Sequence, residues 1–285
     1  MLLFRQYLMD DRKTWEAATE AQRRLAVGAD TELRRRYPEV RIERLWPAEP
    51  EEVTDEQRAG ARPSRTPAVV SRQPYDRGSG QKQGQLSWGT GSTPTFFGPG
   101  GDRYLTIADN ADSQEHLLIY RIDPKTGASR LICRTPIFTP GASAAENAPI
   151  GVGHSVVIVN TYGYNYQIGA HPGPIPGGLT RLDVRKNGSG CDTRWTNAVP
   201  SVAVPKLSTR DGDIYTVQRA PTGTTANYAM AVIDSGSGRT LALRALGSGL
   251  RWETLQLAGV TSRTGVFYQG TVAGIAAIRP ASAGK

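Results

Sequence analysis

Acidic and amide side chains beside the predicted strands are the residues of this chain best suited to chemistry. Asp109, Asn110 and Asp112 follow one predicted strand, and Glu146 and Asn147 precede the next group of strands. Carboxylate and amide oxygens are the ligands that Ca²⁺ prefers. One interpretation is a polar ligand site built from all five residues, with Asp109, Glu146 and Asn147 as metal ligands. Asp and Asn also close ordinary turns by accepting hydrogen bonds from backbone amides, and this second interpretation stays open.

Aromatic side chains form a second candidate group. Tyr162 and Tyr164 are expected to line a binding mouth, together with Tyr166 and Trp252. Large aromatic side chains also supply much of the buried area of protein cores. The pattern therefore fits a ligand-binding surface and simple packing between sheets equally well.

Histidine spacing and short motifs indicate neither a zinc site nor a familiar nucleophile. His116, His154 and His171 fall in unrelated positions with no metal-ligand spacing. The sequence has no Gly-x-Ser-x-Gly elbow, no phosphate-binding loop and no His-Glu-x-x-His helix. Hydrolase and nucleotide-dependent functions therefore lack the residues on which they depend.

The two cysteines are placed so that they can pair. Cys133 follows Asp123 by 10 residues and Cys191 follows Asp183 by 8, so both occupy nearly the same place in consecutive repeats. Equivalent positions on neighbouring sheets can bring Cβ atoms close enough for a bridge. The sequence predicts a Cys133–Cys191 disulfide, with two buried thiols as the alternative.

The elements that position these residues belong to an internal repeat. In each copy an apolar strand ends in Asp, a short turn closes on Gly, and a second strand follows. The copies occupy residues 118–127, 179–188 and 230–238, with anchoring aspartates Asp123, Asp183 and Asp234, and a partial copy occupies 274–279. Asp accepts bonds from turn amides and Gly adopts the positive φ of a tight hairpin.

Two further strands are predicted upstream of each hairpin. They span 92–97 and 104–108, 149–152 and 155–160, 202–207 and 214–218, and 254–260 and 265–269. Four strands per repeat at this spacing are typical of β-propeller blades. The fold class predicted is all-β, a β-propeller with about four visible blades, in which residues 67–72 supply the outer strand missing from the last copy. The alternative is the C-terminal part of a larger propeller.

The first quarter of the chain differs in composition from the rest. Residues 1–73 are densely charged with a net charge of +1, whereas the remaining residues are sparsely charged and carry +7 of the total +8. We expect a charged helical or disordered leader over residues 1–65 and the propeller domain over 66–285. Basic residues are scattered without interleaved aromatics, so nucleic acid is not an expected partner. No apolar run is long enough for a membrane span.

The hairpin segments resemble the repeat of the pyrroloquinoline-quinone-dehydrogenase-like propellers. The turn Asp-Pro-Lys-Thr-Gly at 123–127 fits that repeat best, and Trp195 lies near its expected aromatic position. Residues 89–95, 108–112, 141–147 and 162–164 are similar to a set of uncharacterised exported propeller proteins of bacteria and fungi. The resemblance covers about residues 87–279 and implies an extracytoplasmic location, which a disulfide would fit.

Departures from the quinoprotein pattern weigh against an enzyme. Quinoprotein dehydrogenases hold their quinone beside a vicinal disulfide, under a tryptophan floor and over a calcium ion. This chain has no Cys-Cys pair and only five tryptophans. We expect a non-catalytic binding or scaffold module that presents loops to a small molecule, a glycan or a protein. The alternative is a quinoprotein-like oxidoreductase with calcium and pyrroloquinoline quinone at the propeller mouth.

Overall fold

A computed structural model describes residues 69–86, 88–164 and 175–279. The chain divides into two compact units, Met1–Ala68 and Val69–Lys285. All described residues belong to the second unit, so the predicted leader lies outside them. Tyr166 and His171 also lie outside the described residues.

The described residues form fifteen strands. In chain order these are β1 (Thr95–Phe97), β2 (Tyr104–Ala108), β3 (His116–Ile122), β4 (Ser129–Pro136), β5 (Ile150–Val152), β6 (Ser155–Val159), β7 (Leu179–Val184), β8 (Cys191–Thr196), β9 (Lys206–Leu207), β10 (Asp213–Thr222), β11 (Thr225–Asp234), β12 (Thr240–Ser248), β13 (Val260–Thr261), β14 (Phe267–Thr271) and β15 (Gly274–Ile278). The helical elements in this part of the chain are two 3₁₀ turns, Pro99–Gly101 and Leu250–Trp252. No helix found there is long and apolar enough to cross a membrane.

The strands assemble into consecutive blades. Blades 1, 2 and 3 are four-stranded antiparallel sheets in the orders β1-β2-β3-β4, β5-β6-β7-β8 and β9-β10-β11-β12, and blade 4 has the three strands β13-β14-β15. Neighbours in sequence are neighbours in every sheet, as in a propeller blade. The predicted all-β propeller is confirmed, and the last described blade has three strands.

Two of the three predicted hairpin turns have the predicted chemistry. In blade 1, Asp123 Oδ1 accepts hydrogen bonds from the amides of Lys125 (2.8 Å) and Thr126 (3.2 Å), and these bonds lower the pKa of Asp123. In blade 3, Asp234 Oδ1 accepts a bond from the amide of Ser237 at 2.7 Å. The side chain of each Asp therefore replaces water as the acceptor for the turn amides.

The turn predicted at Asp183 is displaced. Asp183 lies inside β7, and the turn forms two residues later, where the Arg185 amide bonds to the Gly190 carbonyl at 2.9 Å. The carboxylate of Asp183 accepts bonds from Arg181 Nε (2.8 Å) and Nη2 (3.2 Å). The prediction was wrong because β7 continues past Asp183, whose side chain is bound by a guanidinium of the same strand.

Successive blades pack face to face through three apolar clusters. Each cluster joins one blade to the next: Ile119 and Ile158 belong to the first, Val159 and Ile233 to the second, Met230 and Phe267 to the third. Alternate residues of a strand point to opposite faces, so a strand such as β6 contributes to the clusters on both of its sides. Its continuous burial follows from this position between two blades.

Side chains of blade 2 bind the hairpin of blade 3. Arg181 Nη1 donates to the Ser235 carbonyl at 2.6 Å, and Trp195 Nε1 donates to the same oxygen at 2.9 Å. Gly238 closes that hairpin at φ 75°, and a Cβ at this position would overlap the Trp195 indole. Trp195 is thus an interblade contact, in the aromatic position that the repeat resemblance implied.

The predicted disulfide is confirmed. Cys133 in β4 and Cys191 in β8 are bonded, with Cα atoms 6.0 Å apart. The bridge joins the outermost strands of blades 1 and 2. Both residues pack at the edge of the apolar cluster between these blades.

The predicted closing strand does not pair with the last blade. Residues 69–86 form no strand. Instead the Ser71 hydroxyl lies 2.6 Å from Ser129 Oγ, and Gln73 Nε2 donates to the Ser129 carbonyl at 2.8 Å. The prediction was wrong for the described part of residues 67–72, because polar side chains fix this segment beside β4 of blade 1.

Candidate functional site

The predicted site residues lie in connections at one end of the blades, which we call the loop face. Strands of an antiparallel meander alternate in direction, so the β2–β3, β4–β5, β6–β7, β8–β9 and β12–β13 connections emerge at the same end. All seven predicted site residues lie in three of these connections: Asp109, Asn110, Asp112, Glu146, Asn147, Tyr162 and Tyr164.

Asp109 is a buried residue that joins the two ends of the β2–β3 connection through hydrogen bonds. Its carboxylate is buried and accepts bonds from the His116 amide (2.7 Å) and His116 Nδ1 (3.0 Å). Arg134 Nη2 donates to it at 3.1 Å. Its oxygens are therefore occupied by protein donors, which is the turn interpretation of this residue.

Asn110 holds the chain segment that precedes blade 1. This segment, residues 75–86 and 88–91, is called the strap below. Asn110 Nδ2 donates to the Arg77 carbonyl (2.7 Å) and the Gly80 carbonyl (3.1 Å), and Asn110 Oδ1 accepts from Gln85 Nε2 (2.7 Å). The Asn110 amide also donates to the Asp76 carbonyl at 2.7 Å. All of the side chain's polar atoms are used to position the strap.

Asp112 and two glycines complete this attachment. Asp112 Oδ1 accepts bonds from the Ser79 amide (2.7 Å) and hydroxyl (3.0 Å), which lower the pKa of Asp112. Gly78 (φ 66°) lies so close to the β2–β3 connection that a Cβ would overlap a backbone carbonyl, and Gly84 (φ 89°) has the same constraint against the Thr161 carbonyl. The strap therefore crosses from the loop of blade 1 to the loop of blade 2 in close backbone contact.

Two carboxyl groups lie beneath the strap, Glu115 fully buried and Glu146 partly buried. Glu115 Oε1 accepts from Gln85 Nε2 at 3.2 Å and lies 3.6 Å from Lys82 Nζ. Burial raises the pKa of Glu115 to about 8, an effect that Lys82 opposes. Burial also raises the pKa of Glu146, which a hydrogen bond from the Leu86 amide opposes. Within the described chain, Glu115 Oε2 and Glu146 Oε1 are buried without a hydrogen-bond partner.

Asn147 links distant parts of the loop face. Its Nδ2 donates to Gln256 Oε1 at 2.6 Å, and both side chains are buried. Gln256 belongs to the connection that leads into blade 4. The bond therefore joins the connection that leads into blade 2 to the connection that leads into blade 4.

Tyr164 belongs to a buried ionic network that sequence reasoning missed. The Tyr164 hydroxyl donates to Glu253 Oε1 (2.8 Å), and Arg219 Nη1 donates to Glu253 Oε2 (3.0 Å). The Tyr228 hydroxyl also donates to Oε2 at 2.9 Å, and burial with this carboxylate raises the pKa of Tyr228. Arg219 and Glu253 are separated by 34 residues, and no local sequence pattern connects them.

The predicted metal ligands have separate partners. Asp109 binds His116 and Arg134, Asn147 binds Gln256, and Glu146 lies against Gly91. Among the residues described, no three His, Cys, Asp or Glu side chains are grouped as metal ligands would be. The described residues therefore show no grouped calcium ligands, and the metal assignment stays a prediction.

The exposed aromatic side chains of the loop face lie mainly on the strap. Trp88 is 51% exposed, and its Nε1 donates to the Arg77 carbonyl (3.0 Å) and the Gly78 carbonyl (3.2 Å). The Arg77 guanidinium lies 4.0 Å from the centre of the Trp88 ring. Leu86 and Tyr75 are 65% and 39% exposed. The predicted Tyr162 is half-buried, and its amide donates to Asn160 Oδ1 at 3.0 Å.

Comparisons with known proteins find only weak structural similarity. No protein-family model matches the sequence, and no curated protein matches it. A provisionally assigned 6-phosphogluconolactonase from Bacteroides uniformis is similar at a TM-score of 0.41 and 13% identity, over 70% of this chain and 57% of that chain. A protein of the same description from Bacteroides fragilis gives 0.40 and 15%, over 71% and 57%. Sqt1 from Saccharomyces cerevisiae gives 0.33 and 10%, over 65% and 58%.

The fold class of this protein is thus defined by the order of the strands within its sheets. The chain spans little more than half the length of these solved structures. It is a β-propeller protein whose described blades number four. Its loop face is fixed by internal hydrogen bonds between loops and strap.

Proposed function

We propose that this chain is a non-catalytic propeller module that binds a protein or peptide ligand on the strap side of its loop face. The observation that carries this proposal is the exposure of Trp88 in a fixed position. Its Nε1 and its ring are both engaged by the strap, so the indole offers its surface without a large ordering cost on binding. Trp, Tyr and Arg are the residue types enriched in binding hot spots.

The engagement of the polar loop residues supports a binding role over catalysis. A general acid or base must reach a substrate proton. Asp109, Asn110 and Asp112 instead direct their polar atoms to His116 and to the strap. Their role in the proposal is to hold the surface rigid.

The exposed aliphatic Leu86 favours a protein ligand over a glycan. Leu86 precedes Trp88 by two residues in the chain. Thr90 follows Trp88 by two residues, and its amide lies 3.4 Å from Tyr75 Oη, within hydrogen-bond distance. An apolar centre with an adjacent arginine is typical of protein interfaces. The Cys133–Cys191 bridge supports an extracytoplasmic site of action, because disulfides persist in oxidising compartments.

Selection of a random peptide library on the immobilised full chain tests this function. We expect selected peptides to lose about 30-fold or more in affinity on Trp88→Ala, the range of hot-spot truncations. Leu243→Ala, an exposed apolar position on β12, is the matched control and should leave affinity unchanged. Peptides indifferent to Trp88→Ala would refute the proposed surface.

The quinoprotein alternative has its own measurement. Pyrroloquinoline quinone with Ca²⁺ should leave the melting temperature of the wild type unchanged, since a ligand raises stability only by binding the folded state. A rise in melting temperature that needs both components, together with reduction of an artificial electron acceptor, would replace the binding-module proposal with the enzyme.

A further inference from the structure

A cavity at the opposite end of blade 1 has four cations among its nine lining residues. This end, which carries the β3–β4 hairpin, is called the turn side. The cavity has a volume of about 600 Å³. Its charged lining residues are Arg103, Arg121, Lys125, Arg130 and Asp123. Four cations and one carboxylate give the cavity a formal charge of +3.

The strand register forces two of these cations together. Arg121 in β3 and Arg130 in β4 are directly opposite each other in the antiparallel pair. Side chains in this relation have Cβ atoms about 5 Å apart, and like charges placed so are destabilising. Arg103 stands at the same end, since its carbonyl accepts the Ile122 amide at 3.1 Å. The folded chain therefore concentrates positive charge at the turn side of blade 1, although the pairing of β3 with β4 does not require charged residues there.

The protein itself supplies little compensation. In the ion pairs of the described chain, Arg134, Arg181 and Arg219 each have a carboxylate partner. None of the four cavity cations takes part in such a pair within the same residues. The one carboxylate present, Asp123, is bound to the amides of its own turn.

Arg121 adds a buried donor without an acceptor. Its Nη2 donates to the Gly188 carbonyl of blade 2 at 2.9 Å, which fixes the guanidinium. Its Nε is buried and has no hydrogen-bond partner in the described structure. An unused buried donor costs free energy, so the protein leaves part of the hydrogen-bonding capacity of this guanidinium unsatisfied.

We propose that this cavity binds a phosphate or sulfate ester. Guanidinium groups present several N–H donors in a planar fork that matches tetrahedral oxyanions. The volume exceeds the needs of a single ion and falls in the range of small-molecule sites. Ile122, Pro124, Ala128 and Ser129 line the remainder, so the ligand carries a neutral, largely apolar body next to its anionic group.

Titration calorimetry on the full chain tests the site. The probes are inorganic phosphate, sulfate and phenyl phosphate, each compared with chloride at matched ionic strength. We expect saturable binding of the oxyanions, tightest for phenyl phosphate. Tighter binding of phosphate than of sulfate identifies a phosphate ester as the natural ligand, and the reverse identifies a sulfate ester.

Matched charge variants separate a built site from net charge. Arg130→Gln should weaken phosphate binding by about tenfold or more, since a charge-assisted bond is lost. Arg130→Gln should also raise the melting temperature of the unliganded protein, because the opposed Arg121 loses its like-charged neighbour. Arg263→Gln, in the exposed turn before β14, removes the same charge and should change neither.

Two outcomes would overturn this proposal. One is the absence of oxyanion binding beyond that of chloride. The other is equal weakening by Arg130→Gln and Arg263→Gln, which would show a general response to net charge. Neither readout involves Trp88, so failure of this site and failure of the peptide-binding surface are distinguished.

Discussion

Replacement of Glu115 by glutamine should stabilise the protein at alkaline pH. Glu115 stands at the end of the β2–β3 connection, fully buried, with Gln85 and Lys82 of the strap at one oxygen. Burial raises the pKa of Glu115 to about 8; Lys82 opposes this rise, and the negative charges of Asp109 and Glu146 add to it. The folded protein therefore holds a proton that the unfolded chain releases at much lower pH. Glutamine keeps the size and polarity of the side chain but does not titrate.

The magnitude follows from the two pKa values. The ordinary value is 4.5 and the folded value is about 8. A pKa difference of one corresponds to about 1.4 kcal/mol, so the full effect is at most about 5 kcal/mol. Because the pKa of Glu115 is raised in the folded protein, the contribution of this residue to the free energy of unfolding is complete below pH 4.5. This contribution is lost as the pH rises to about 8. The Glu115→Gln variant lacks this loss, so its advantage should grow over the same interval.

Urea denaturation at pH 5, 6.5 and 8.5 measures this effect. The two proteins should differ little at pH 5, and the variant should be more stable by several kcal/mol at pH 8.5. Asp112→Asn is the matched control on the same connection. The pKa of Asp112 is lowered by Ser79, so that carboxylate is ionised throughout and its replacement should give a difference that does not change with pH.

Parallel stability curves for wild type and Glu115→Gln would refute the reasoning. They would show that Glu115 is already ionised at pH 5 in the folded protein and that Lys82 compensates its charge completely. Replacement of Lys82 by Met would then destabilise the protein strongly, whereas a neutral Glu115 makes that replacement mild.

Three further changes test the interblade structure. Joint Cys133→Ser and Cys191→Ser replacement should lower the free energy of unfolding by roughly 4 kcal/mol, as expected for a cross-link with a sequence separation of 58; equal denaturation midpoints with and without the bridge would contradict this. Glu253→Leu should cost about 3–5 kcal/mol, because a buried guanidinium loses its carboxylate, and a thermal melt within a degree or two of wild type would contradict it. Gly238→Ala should cost more than Gly223→Ala, since both have positive φ but only Gly238 faces an indole; calorimetry of the pair should show equal losses if the indole contact is unimportant.

Local sequence patterns predicted most of the strands and turns. The second strand of blade 1 was predicted at 104–108 and forms at Tyr104–Ala108. Asp123 and Asp234 close their hairpins as predicted, because an Asp–Gly turn is fixed by bonds within a few residues. The Cys133–Cys191 bridge was also predictable, since the repeat places both residues on outer strands of adjacent blades.

The candidate site depended on contacts that the repeat does not encode. The seven predicted residues do share the loop face, because propeller topology brings those connections to one end. Their partners were not predictable, since Asn110 binds a strap that precedes the first repeat. The position of Ser71 was likewise decided by a polar contact with another strand, and that of the Asp183 carboxylate by a guanidinium of its own strand.

The sequence by itself determined the blade repeat, because strand alternation and turn chemistry act over a few residues. Only the tertiary structure decided which polar groups are buried together. The Arg219–Glu253 pair and the raised pKa of Glu115 both arise from burial between segments far apart in the chain. Burial depends on which segments fold over a residue, and so does the strength of its electrostatic interactions.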